Sequence, residues 1–277
     1  MCIRDSGTSD APITFTADMT EEELLASPRG NWGGLVLNGY APIATTGGVN
    51  FHEGLEGVSY GGNDPEDSSG ILRYVRVWHG GRSIGQDNEI NGITLAGVGS
   101  GTIVDYCEVA WNLDDGFEMF GGTVNLRYCS VVNVGDDAFD TDEGYQGKGQ
   151  FLFAIVGDEN GNRAYEMDGK FANRPLSYPQ FANVTLIGSG ADQGSADNDD
   201  MMRIREGTGG MFWNHVVVNA HSDVVDIRDC ETASLLGDSL VFSANNIYYN
   251  FGSDGYDISN ISACTPAPVA PAFLNVD

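Results

Sequence analysis

The sequence predicts an all-β chain wound as a parallel β-helix, a solenoid with coils of about 22 residues and inserted loops. Three observations point there. Thr102–Gly122 and Thr123–Gly144 repeat one another, with Tyr106/Tyr128, Cys107/Cys129, Val109/Val131, Asp115/Asp137 and Phe117/Phe139 all recurring at a spacing of 22. Apolar residues alternate within each copy, as strands require, and Gly and Asp punctuate the ends. Thirty-eight glycines against nine prolines leave room for many tight turns.

One strand per coil is anchored at Ile93, Phe117, Phe139, Tyr165, Met202, Val225 and Tyr256, at steps of 24, 22, 26, 37, 23 and 31. Two residues on stand Leu95, Met119, Thr141, Met167, Ile204, Ile227 and Ile258. Side chains alternate across a strand, so both sets point into the core. Two residues before the anchors come Asn91, Asp115, Asp137, Arg163, Asp200, Asp223 and Asp254. Six of these seven are Asp or Asn, which cap turns with their own side chains. The longer steps hold insertions, most clearly over 188–200.

A second strand per coil is visible around Cys107/Val109, Cys129/Val131 and Val184/Leu186. Asn183, Asn214 and Asn245 head its later members, and stacked amides of this kind bond the coil above and below. Ile13–Thr16, Gly34–Leu37 and Leu72–Val77 read as further coils, and Thr20–Leu25 as a short helix or a cap. The β-helix domain spans 12–263 on this reading. Residues 1–11 form an artefactual or disordered N-terminus, Met1–Ser6 resembling an adapter remnant, and 264–277 a Pro-rich tail or linker.

Thirteen basic against 40 acidic residues give a formal charge of −27, which excludes a nucleic-acid binder and favours cations as partners. No apolar run reaches membrane-spanning length. Cys107 and Cys129 read as core residues, and a Cys230–Cys264 disulfide suits an exported chain. His79 reads as part of a turn, while His52, His215 and His221 lack metal-ligand spacing. The sequons at Asn183 and Asn260 carry no weight in a bacterial chain.

Gly30–Gly39, Tyr60–Asp64, Ser69–Val77, Glu89–Thr102 and Asp114–Asn125 resemble a family of exported bacterial lipoproteins and surface proteins common in marine Bacteroidetes. The resemblance is good over residues 12 to 170 and looser beyond. It implies a right-handed parallel β-helix of the pectin-lyase-like superfamily and an extracellular or outer-membrane location. It carries over no activity.

The repeat lets outward positions be read as columns. The position after each anchor gives Thr94, Glu118, Asp140, Glu166, Arg203, Asp226 and Asp257; two further on come Ala96, Phe120, Asp142, Asp168, Arg205, Arg228 and Ser259. Coils stack about 4.8 Å apart, so Asp140, Asp142, Glu166 and Asp168 are expected to form a square of carboxylates beside Arg203 and Arg205. Such a square needs raised pKa values, a calcium ion bridged by its oxygens, or arginine forks. Glu118, Phe120, Asp226 and Arg228 extend the face.

Three functions fit these columns. One is a surface module binding acidic polysaccharide or a cell-surface glycan, calcium, or both. Another is a polysaccharide-cleaving enzyme. As a glycoside hydrolase it would pair Asp140 or Asp142 with Glu166 or Asp168; as a calcium-dependent polyuronate lyase it would use Arg203 or Arg205. The last is a structural or adhesion stalk. Asp136–Asp137 is similar to the paired aspartates of polygalacturonases, but Asp114–Asp115 and Asp199–Asp200 share its turn position, which favours a turn role.

Overall fold

The computed structural model describes residues 3–52, 57–85, 89–157, 161–170, 173–190, 200–253, 255–258, 261–271 and 274–275. Asp199, Asp254, Ser259, Asn260 and most of the 188–200 insertion lie outside these residues. The chain is a parallel β-helix. Each coil gives one strand to each of three sheets, and every coil-to-coil pairing is parallel. The first sheet carries Ile103–Asp105 and Asn125–Arg127, the second Glu108–Ala110 and Ser130–Val132, and the third Phe117–Phe120 and Phe139–Asp142. Gln180–Ile187 and Gly210–Val218 each run through the first sheet and on into the second.

The third sheet follows the expected register at every step. Ile93, Phe117, Phe139, Tyr165, Met202, Val225 and Tyr256 pair in that order, with Leu35 added before Ile93. Anchors and their +2 partners are buried through Ile227, because inward side chains from three sheets fill one continuous core. Phe117 stacks on Phe139 with centroids 5.5 Å apart. Cys107 and Cys129 are buried free thiols in this core.

First and second sheets meet at a one-residue corner. Tyr74, Tyr106, Tyr128, Phe151, Asn183 and Asn214 occupy it in turn, all with φ between 52° and 58°. A single left-handed residue turns the strand sharply, and stacking with neighbouring coils offsets its backbone cost. The four rings stack face to face at 4.6, 4.5 and 4.8 Å. Asn214 Nδ2 then donates to Asn183 Oδ1 at 3.2 Å. In the next coil the buried amide is Asn246 rather than Asn245: its Oδ1 accepts from His215 N–H at 3.0 Å. His215 itself is buried against Tyr165, and burial lowers its pKa to about 4.

At the turn entering the third sheet, coils touch backbone to backbone. A Cβ on Gly116 would sit 2.5 Å from the Ala138 carbonyl oxygen, so only glycine fits. Ile3–Ser6 extends the first sheet by pairing with Gly70–Arg73. Glu21–Ala26 is a helix with a Thr20/Glu23 capping box, and it buries no residue. Cys230 and Cys264 form a disulfide that ties the chain leading to the Pro-rich tail onto the short helix Cys230–Ala233.

Candidate functional site

A cleft of about 520 Å³ lies on the outer face of the third sheet. Its floor comes from the repeat. Glu118 and Asp140 are register partners on adjacent coils, and the preceding turns bring Asp114–Asp115 and Asp136–Asp137 to its edge. Its wall comes from an insertion between Asn38 and Gly70, whose antiparallel pair Asn50–Phe51 and Ser59–Tyr60 lies over the sheet. That insertion is anchored on Glu143, just past the strand Phe139–Asp142. Asn50 Nδ2 donates to Glu143 Oε1 at 2.7 Å and Tyr60 Oη to Glu143 Oε2 at 3.0 Å. Tyr60, His52 and Phe120 pack with centroids 5.7 to 6.0 Å apart and give the wall an aromatic patch.

The outward column of this sheet divides into two halves of different electrostatics. In the downstream half Asp142, Glu166, Asp168, Asp200 and Asp226 each meet a base. Arg205 Nε donates to both Asp168 carboxylate oxygens at 2.7 and 2.8 Å, and its Nη2 reaches Glu166 Oε2 at 2.9 Å. Lys170 Nζ lies 2.8 Å from Asp142 Oδ2, and Arg163 Nη1 3.4 Å from Glu166 Oε1. Arg203 spans Asp226 at 3.0 Å and Asp200 at 2.7 Å, and Arg228 pairs with the same two acids.

The upstream half differs. Among the described residues, no Lys or Arg nitrogen lies within 4.0 Å of the carboxylates of Asp114, Asp115, Asp136, Asp137 or Asp140. Oxygens of Asp114, Asp115 and Asp136 lie within 4.8 Å of one another, as do those of Asp115, Glu118 and Asp140. Burial and the Asp136 charge push the Asp114 carboxyl up to about 7. Burial, then neighbouring carboxylates, raises Asp115, Asp137 and Asp140 well above the usual carboxylate range. Among the described residues, the buried Oδ1 atoms of Asp137 and Asp140 each have no hydrogen-bond partner. Buried oxygens of that kind call for a donor or a cation.

Of the predicted square, Asp140 and Glu166 are register partners, with Asp142 and Asp168 further along the same edge. Of the solutions open to such a square, arginine forks and Lys170 neutralise Asp142, Glu166 and Asp168, while Asp140 faces the upstream acids. Phe120 lines the cleft, whereas Tyr165 is core. The turn role of Asp115 is real, since its Oδ1 accepts from Asp137 N–H at 2.9 Å, yet it also lines the cleft. The sequence columns omitted Asp114 and Asp136, which lie in the turns, and Glu89, Asn50, Tyr60 and Glu143. The paired-acid repeat was the one available signal, because the insertion has no periodic counterpart. His79 holds a corner at φ 61° with Nδ1 2.7 Å from the Pro28 carbonyl oxygen, as a turn residue would.

A family model described as a pectate-lyase like beta helix domain matches residues 2–260. The chain belongs to this family. No curated protein and no solved structure matches it. Membership in the pectate-lyase-like family fits a polysaccharide-related role. Among the described residues, no helix is long and apolar enough to cross a membrane. The donor set of the two acid clusters is all oxygen, and hard oxygen ligands suit Ca²⁺ rather than a softer metal.

Proposed function

We propose that this chain is a polysaccharide-binding module displayed outside the cell, which holds Ca²⁺ on Asp115, Glu118 and Asp140. The bound ion offers its remaining coordination positions to the carboxylates of an acidic polysaccharide. The observation that carries the reading is the pair of acid clusters, in which no Lys or Arg nitrogen among the described residues lies within 4.0 Å of Asp114, Asp115, Asp136 or Asp140, with the buried Oδ1 atoms of Asp137 and Asp140 beside them. Two cations sharing Asp115 would also engage Asp114 and Asp136. Asp142, Glu166 and Lys170 border the same cleft, and the ion-paired Asp168, Arg205, Arg203 and Arg228 continue the face downstream of it. The Cys230–Cys264 disulfide supports an oxidising compartment.

Calcium titration of the melting temperature tests this. A ligand at a hundred times its Kd stabilises by about 2.7 kcal/mol, so millimolar calcium should raise the melting temperature by several degrees. Asp140→Asn and Glu118→Gln should remove that gain. An unchanged melting temperature with calcium and with polygalacturonate would favour the stalk. Release of reducing ends or of unsaturated product would make the module an enzyme.

A further inference from the structure

The cleft is both larger and more acidic than an ion requires. Its volume of about 520 Å³ falls within the range of small-molecule sites, roughly 300–1,000 Å³. Its acceptors repeat along the solenoid axis, with Asp114 and Asp136 one coil apart and Glu118 and Asp140 register partners. A repeat of acceptors at about 4.8 Å fits a ligand with repeated donors better than a single ion. The lining is short of donors. Asp137 is only 3% exposed, yet its Oδ1 has no partner among the described residues, and the buried Oδ1 atoms of Asp140 and Asn91 share that state.

Two more features specify the donor. An aromatic patch of Tyr60 and Phe120, with the exposed ring of Phe51, stands beside these carboxylates. Aromatic faces and carboxylates together favour ammonium groups and the apolar faces of sugar rings. At the downstream end of the cleft an alkylammonium already occupies this setting: Lys170 Nζ sits 2.8 Å from Asp142 Oδ2.

We infer that the upstream half of the cleft binds an amine-bearing glycan directly, an oligomer of hexosamine with free amino groups whose ammonium groups meet Asp114, Asp136, Glu118 and Asp140. This rests on the proposed assignment of the cleft as the glycan site, but it does not need the bound calcium. Ammonium groups would supply a donor beside the Asp137 and Asp140 oxygens and charge to the clusters, with the sugar faces against Phe120.

Calorimetry in calcium-free buffer with chelator tests it, using four probes: a β-linked glucosamine tetramer, its fully N-acetylated counterpart, a galacturonate tetramer and spermine. The glucosamine tetramer should bind at least about tenfold tighter than the acetylated one. Asp114→Asn and Glu118→Gln should each weaken it about tenfold, while Asp64→Asn, away from the cleft lining, should leave it unchanged. Melting curves of the variants establish that they fold. Equal binding of the free and acetylated tetramers, or binding of neither, overturns the inference. Spermine binding as tight as the glucosamine tetramer overturns its glycan part. Galacturonate binding that appears only with calcium, with no amine binding, overturns the inference and leaves the calcium reading standing. Amine binding without any calcium-induced stabilisation does the reverse.

Discussion

Asp115→Asn should make the metal-free protein more stable, even though it alters a buried residue in the middle of the solenoid. Asp115 belongs to both acid clusters, and its charge lies close to those of Asp114, Asp136, Glu118 and Asp140. Two unit charges about 4 Å apart repel by about 1 kcal/mol in water and about 4 kcal/mol at an effective dielectric near 20. Asparagine keeps the Oδ1 that accepts from Asp137 N–H and removes the charge. A gain of about 1–3 kcal/mol is expected, which for a chain of this size is roughly 2–8 °C in melting temperature. The pH dependence has a definite sign. The folded-state pKa of Asp115 is raised by burial and by its neighbours, so its favourable contribution belongs to the protonated form and is lost as pH rises through that pKa. The variant's advantage should therefore be greatest at neutral to alkaline pH and shrink on acidification. Calcium should stabilise the parent and leave the variant unmoved. Melting curves from pH 5 to 8, with and without calcium, check both parts.

The same face of the solenoid, three coils on, should respond in the opposite direction. Arg203 is 11% exposed and spans Asp200 and Asp226, which are 4% and 0% exposed. Arg203→Met keeps the stem and deletes the charge, leaving two buried acids to share Arg228, with Arg163 4.0 Å from Asp200. Breaking a buried ion pair from one side costs about 3–5 kcal/mol, and Arg228 should hold the loss to about 3 kcal/mol. Urea unfolding should show the midpoint fall without a change in slope. Adding Asp226→Asn should recover part of the loss, because the uncompensated buried charge is what destabilises. A loss near zero would mean that Arg203 is not structural.

The fold was legible because a solenoid writes its geometry into sequence as a period. Phe117, Phe139 and Tyr165 reveal which strand pairs with which, and the register followed at every step from Ile93 to Tyr256. The columns of outward acids followed as well. The partition of those acids was not legible in full. Arg205 and Lys170 reach back from later positions to Asp168 and Asp142, and side-chain reach has no signature in a strand pattern. Asp114 and Asp136 sit in turns, outside the two-residue alternation, so the sequence reading took both acid pairs as turn residues and not as part of the charged face. The wall of the cleft comes from Asn50 and Tyr60 on an insertion, and only the fold brings them to Glu143, more than eighty residues on. The Tyr106/Tyr128 recurrence was visible as a repeat, but its left-handed corner belongs to backbone conformation.

The division of one charged column into a half open to cations and a half already filled by arginine is tested most directly by diffraction. Crystals grown with calcium would be measured at a wavelength where calcium scatters anomalously. A peak between the carboxylates of Asp115, Glu118 and Asp140, with Arg205 still on Glu166 and Asp168, is the expected result. A peak among Asp142, Glu166 and Asp168 with Lys170 and Arg205 displaced, or no peak on this face, would contradict it.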